Sequence, residues 1–202
     1  LGAPAPVRWD GAEHIEAASA AGRGLLFLTP HLGCFEITAQ AYAARFGARL
    51  PMTVLFRPAR QPWLRALVDH SRERPGLRTA PTTLSGVRQL VQALKSGEAV
   101  GLLPDQVPPK GLGTWAPFFG REAYTMTLSA RLARSGDTQV LLSWGERLPW
   151  GQGYVVHVRP LAEPLPADPQ AAAAAVNAAM ESLGRESPAQ YLWSYDRYKP
   201  PR

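Results

Sequence analysis

The sequence predicts an α/β domain with a largely parallel central sheet flanked by helices, and three observations predict it. Short apolar runs, too brief for helices, recur at residues 24–29, 52–56 and 98–103. Stretches with apolar residues at helical spacing alternate with these runs, which is the pattern of a parallel sheet built by helical crossovers. Glycine or proline stands at most of the boundaries. At 202 residues the chain suits a single domain spanning 1–202, since a domain of this size buries roughly 70% of the surface its unfolded chain exposes.

The elements follow in order. Residues 24–29 (GLLFLT) read as a buried strand closed by Pro30. From Cys34 the apolar residues Phe35, Ile37, Ala39, Tyr42, Ala43 and Phe46 recur at helical spacing, and Gly47 stops the helix. A second strand is expected over 52–56, a helix from Pro62 to about Arg74 ending at Pro75-Gly76, and a short strand over 77–80. Thr82 or Thr83 can cap the next helix, which runs to about Lys95. After the strand at 98–103 comes Pro104-Asp105-Gln106 and a long loop holding Pro108, Pro109, Gly111, Gly113, Pro117 and Gly120. Irregular stretches of this length inside a domain tend to be functional. A helix is expected over 125–134, strands over 139–144 and 154–158, and a last helix over 170–183 after a Pro/Ala-rich surface connection.

Composition narrows the function classes. No run approaches the roughly 18 to 20 apolar residues of a membrane-spanning helix. The chain opens at Leu1 with no signal-peptide pattern, which leaves open a preceding segment that is removed or not included. A net charge of +6 favours acidic partners. The basic residues are scattered and mostly arginine, which argues against nucleic acid. One cysteine, Cys34, excludes an internal disulfide and a cysteine-built zinc site and fits a reducing compartment.

Ligands of such sheets bind beyond the carboxyl ends of the strands. His31 and Asp105 both fall just after predicted strands, so two chemically capable residues from distant sequence share one edge. His31 and Glu36 stand five apart, about 140° on a continuous helix. With His31 in the turn and Glu36 in the first helical turns, the carboxylate can accept from one ring nitrogen and leave the other as a base. Equally, the pair could be a surface histidine beside a glutamate that merely favours the helix dipole. A Cys34 nucleophile is disfavoured, because Cys34 sits on a different face from His31.

Five separated motifs then agree in order. Thr29-Pro30-His31-Leu32-Gly33-Cys34-Phe35-Glu36, Phe56-Arg57-Pro58, Leu102-Leu103-Pro104-Asp105-Gln106, Ala116-Pro117-Phe118-Phe119-Gly120, and the final pair Ser187-Pro188-Ala189-Gln190-Tyr191-Leu192-Trp193 with Arg197-Tyr198-Lys199 resemble the lipid A biosynthesis late acyltransferases, the lauroyl and myristoyl transferases of Gram-negative bacteria. The resemblance covers nearly the whole chain and implies a glycerolipid acyltransferase-like fold. It departs at Cys34-Phe35, where the family commonly has Asn-Trp, and at Val107, where an acidic residue is common.

The resemblance implies transfer of a fatty acyl group from a thioester on acyl carrier protein, or from acyl-CoA, to a hydroxyl of an anionic lipid A precursor. The expected place is the cytoplasmic face of the inner membrane. The family's N-terminal membrane anchor is not in this chain, which by itself reads as soluble or peripheral. By resemblance His31 is the general base, Glu36 its orienting carboxylate, and Arg72 and Asp105 the other two residues linked to activity. Arg57 and Arg72 are candidates to hold an acceptor phosphate or a developing oxyanion. Arg57, Gln106, Trp115, Phe118 and Phe119 are read as substrate-binding, the aromatic residues along an acyl channel or at the membrane surface. No metal and no organic cofactor is implied. The rivals are a related acyltransferase acting on a lysophospholipid, glycolipid or aminolipid, an esterase, for which the G-x-S-x-G elbow is lacking, and a lipid-binding module.

Overall fold

The computed structural model describes residues 6–56 and 75–202. Seven strands form one sheet: β1 (Val7–Asp10), β2 (Gly24–Leu28), β3 (Met52–Phe56), β4 (Leu77–Pro81), β5 (Ala99–Leu102), β8 (Thr138–Arg147) and β9 (Tyr154–Pro160). Their order across the sheet is β1-β9-β8-β2-β5-β3-β4. From β8 through β4 neighbours run parallel, whereas β9 is antiparallel to β8 and β1 follows β9. A separate antiparallel hairpin joins β6 (Gly113–Phe118) to β7 (Arg121–Met126).

Alternation along β2 divides the core. Leu25 and Phe27 face one side, where Ile15, Tyr42, Phe46 and Met52 join them from α1 (Ala12–Ala20), α2 (Phe35–Phe46) and β3. Leu26 and Leu28 face the other, packing with Leu90 and Leu94 of α3 (Leu84–Lys95), Leu132 of α4 (Leu128–Ala133), and Val176 and Met180 of α5 (Pro169–Glu186). All five residues of β2 are buried, because helices cover both faces of the central strands.

Local chemistry sets the ends of the helices. Thr83 accepts the Gly86 amide at the start of α3, and Asp168 accepts that of Ala171 at 2.7 Å ahead of Pro169 in α5.

The expected loop after Asp105 and helix from 125 are corrected. Residues 113–126 form the β6–β7 hairpin, and α4 begins only at Leu128. Its two-residue turn uses Phe119 and Gly120, both with positive φ (46° and 74°), the backbone twist that tight hairpins favour. Tyr124 and Thr125 thus belong to β7, where both are buried. β1 and α1 were not foreseen. The helix expected at 62–74 lies outside the described residues.

Candidate active site

Adjacent strands β2 and β5 deliver the site. Their register sets Leu28 opposite Leu102, and His31 and Asp105 each lie three residues beyond that pair. The Thr29 amide donates to the Leu102 carbonyl at 3.0 Å, continuing the pairing past the strands. Pro30 then ends β2, and the chain turns at Gly33. The φ of Gly33 is +60°, and a Cβ there would lie 2.1 Å from the Gly145 carbonyl oxygen, so the close approach of this turn to β8 requires glycine. Cys34 donates its amide to the same carbonyl at 2.7 Å and starts α2.

The His31 side chain is 15% exposed and the Asp105 carboxylate 2%. His31 Nδ1 stands 2.6 Å from Asp105 Oδ1, and the His31 backbone amide donates to Oδ2 at 2.8 Å. The Tyr191 hydroxyl also donates to Oδ2, at 3.0 Å. On the other side of the ring, the Gln106 amide nitrogen lies 3.1 Å from Nε2. With Asp105 ionised, Nδ1 carries the ring proton and Nε2 offers its lone pair, to which Gln106 donates. Phe35 packs edge-on against the imidazole, centroids 4.9 Å apart.

A cavity of about 220 Å³ opens on this cluster, lined by His31, Asp105, Gln106, Phe118 and the carboxy-terminal Tyr191, Trp193, Tyr195 and Arg197. Tyr195 fixes the loop after Gln106 by accepting the Val107 amide at 2.9 Å. Arg197 is buried. It donates to the Tyr124 carbonyl and to Thr125 Oγ1, each at 2.7 Å, and sits over the Phe118 ring. Burial lowers its pKa, opposed by the negative charge of Asp105. Burial, and then the charge and hydrogen bond of Asp105, hold the Tyr191 phenol well above its usual pKa, so it remains a donor.

Of the residues singled out in the sequence, His31, Asp105, Gln106 and Phe118 meet at this cavity. Where the sequence reading set Glu36 on the His31 ring, the Nδ1 of the ring faces the Asp105 carboxylate. Sheet register brings Asp105 directly beside His31, while Glu36 stands half-buried in the first turn of α2. Phe119 is at the hairpin turn and packs against Phe118 and Trp193, and Trp115 is 44% exposed against Tyr124. Neither is among the residues lining the cavity. Arg57 and Arg72 lie outside the described residues. Tyr191 and Arg197 received no role from the sequence, where they stood only as members of the terminal motifs, and Tyr195 lies between those motifs. Among the described residues no cluster of His, Cys, Asp and Glu could hold a metal ion, and no helix is long and apolar enough to cross a membrane.

Fold and site together define an α/β protein with a histidine on a buried aspartate at the carboxyl edge of a largely parallel sheet, open to an aromatic-walled cavity. The sequence profile of bacterial lipid A biosynthesis acyltransferases matches residues 5–200, and the chain belongs to that family. It is 30% identical over 199 residues to the lipid A biosynthesis lauroyltransferase of Escherichia coli K12, covering 95% of this chain and 62% of that protein. It is 28% identical over 191 residues to the palmitoleoyltransferase of the same strain, covering 94% and 60%. Against a lipid A biosynthesis acyltransferase of Haemophilus influenzae the identity is 26% over 183 residues, covering 91% and 56%. The chain thus spans about three fifths of the length of these relatives.

Proposed function

We propose that this chain is the catalytic domain of an acyltransferase that moves a fatty acyl group from a thioester to a hydroxyl of a lipid A precursor. The observation that carries the reading is the His31–Asp105 pair, both members of which line a cavity. The acceptor hydroxyl takes the place of the Gln106 amide at Nε2. As its proton passes to Nε2, its oxygen attacks the thioester carbonyl carbon, forming an oxyanion. Collapse of that intermediate breaks the C–S bond, and the imidazolium returns the proton to the departing thiolate. Asp105 fixes the ring tautomer and stabilises the imidazolium by its charge.

Gln106 and Phe118 contact the substrates from the cavity wall, and family resemblance supports donor roles for Arg57 and Arg72 at an acceptor phosphate or the oxyanion. Family resemblance supports Glu36 as a second carboxylate of the motif, at the first turn of α2. The net charge of +6 suits both an acidic carrier protein as donor and a phosphorylated lipid acceptor at the membrane surface. Resemblance to the family supports the cytoplasmic face of the inner membrane as the place of the reaction.

The test is an assay of the purified enzyme, supplied with acyl carrier protein thioester or acyl-CoA and read by mass spectrometry. Its acceptors are a lipid A precursor, a lysophospholipid, a glycolipid and an aminolipid. An acylated lipid A precursor is the expected product. Acylation of one of the other lipids alone would replace the acceptor, and free fatty acid as the sole product would replace acyl transfer by hydrolysis.

A further inference from the structure

We infer that Tyr191 is a positioning residue of this reaction, holding the Asp105 carboxylate in the orientation that lets Asp105 hold the His31 ring. The inference rests on the acyltransferase reading above. The carboxy-terminal segment lies directly on the turn carrying the base. Gly33 donates its amide to the Gln190 carbonyl at 2.9 Å, Leu192 donates to the His31 carbonyl at 3.0 Å, and Leu32 forms a bridge with Tyr191. These bonds fix Tyr191 relative to His31 before any side chain is considered. The Tyr191 ring then packs on Trp193, centroids 4.7 Å apart, and its hydroxyl reaches Asp105 Oδ2 at 3.0 Å.

Oδ2 therefore accepts both from the His31 backbone and from Tyr191, and Oδ1 alone serves the ring. Two donors on one oxygen stop the buried carboxylate from rotating. They also draw negative charge away from Oδ1, which moderates how strongly Asp105 favours the imidazolium. The other ionisable groups around the cavity direct their hydrogen bonds elsewhere. Tyr195 accepts from Val107, Tyr198 donates to the Phe118 carbonyl, Arg197 donates to Tyr124 and Thr125, and Asp196 accepts from the Tyr198 amide. Tyr191 is thus the side chain through which the carboxy-terminal segment acts on Asp105.

The test compares wild type with Tyr191→Phe, following the pH dependence of kcat/KM and the His31 ring titration by NMR. Removing the donor should raise both midpoints and lower kcat roughly tenfold, with KM little changed. Incorporation of 3-fluorotyrosine at position 191 keeps the packing and strengthens the donor, so both midpoints should fall. In an Asp105→Asn background the Tyr191→Phe shift should vanish. A folded Tyr191→Phe enzyme whose His31 titration matches wild type, with 3-fluorotyrosine equally silent, would overturn the inference. A His31 titration that moves while the kinetic limb stays fixed would uphold the Tyr191–Asp105–His31 coupling and overturn His31 as the base.

Discussion

At the scale of single residues, the site depends on one backbone contact as much as on its side chains. Gly33 lets the turn after His31 press against the Gly145 carbonyl, which in turn accepts the Cys34 amide. A methyl group at position 33 would meet backbone, not a yielding side chain, in a conformation that L-residues resist. Gly33→Ala is therefore expected to destabilise the fold by about 2 kcal/mol or more and to reduce activity further by displacing His31. Thermal denaturation together with turnover checks this, and a variant with wild-type stability and rate would show that the turn has room the contact distances deny. Cys34 has a backbone task at this turn, capping α2, and the proposed mechanism uses no thiol from it.

At the scale of elements, how much was legible depends on where the sequence carries its own period. β2 is a run of five buried residues bounded by glycine and proline, and it was read within a residue of its observed limits. α3 carried a threonine cap and a glycine stop, and β5 a short apolar run, so both were also legible. The β6–β7 hairpin was not. Its prolines and glycines read as loop, and the tight turn uses Phe119, a residue type that rarely adopts positive φ. The edge strand β1 alternates partly buried with exposed positions over only four residues, too short to stand out.

The same distinction explains the site. The placement of His31 and Asp105 on one edge followed from their positions after strands. The pairing of Asp105 rather than Glu36 with the ring depends on β2 and β5 being neighbours, and strand order is not written in local periodicity. Tyr191 and Arg197 come from a segment whose path over the sheet edge is set by tertiary contacts alone.

At the scale of the whole molecule, two tyrosines resist ionisation, Tyr42 of α2 buried in the core and Tyr191 half-buried at the cavity. Burial raises the pKa of Tyr42, packed between Phe27 and Phe46, and of Tyr191 beside Asp105. A group whose folded pKa is raised contributes its full stability below the unfolded value and loses it as pH rises. Stability should accordingly decline once pH passes the ordinary tyrosine value of ~10. Of the six tyrosines, Tyr42 and Tyr191 should form tyrosinate only as the protein unfolds. Ultraviolet absorbance followed alongside circular dichroism across an alkaline titration checks the coincidence, and full ionisation of all six in the folded state would contradict it.

The same architecture brings β2, β5 and the carboxy-terminal segment to one edge, and the account stands or falls on what the histidine does there. The most direct measurement is the pH dependence of single-turnover acyl transfer in wild type, His31→Ala, Asp105→Asn and Glu36→Gln. A positioned general base contributes about 10² to 10⁴-fold, so His31→Ala should lose a factor of that order while remaining folded. Asp105→Asn should slow the reaction and move its acidic limb to lower pH, because the amide withdraws the charge that favours the imidazolium. Glu36→Gln should leave the position of that limb unchanged. Wild-type turnover in His31→Ala, or an acidic limb that follows Glu36 and ignores Asp105, would contradict the account.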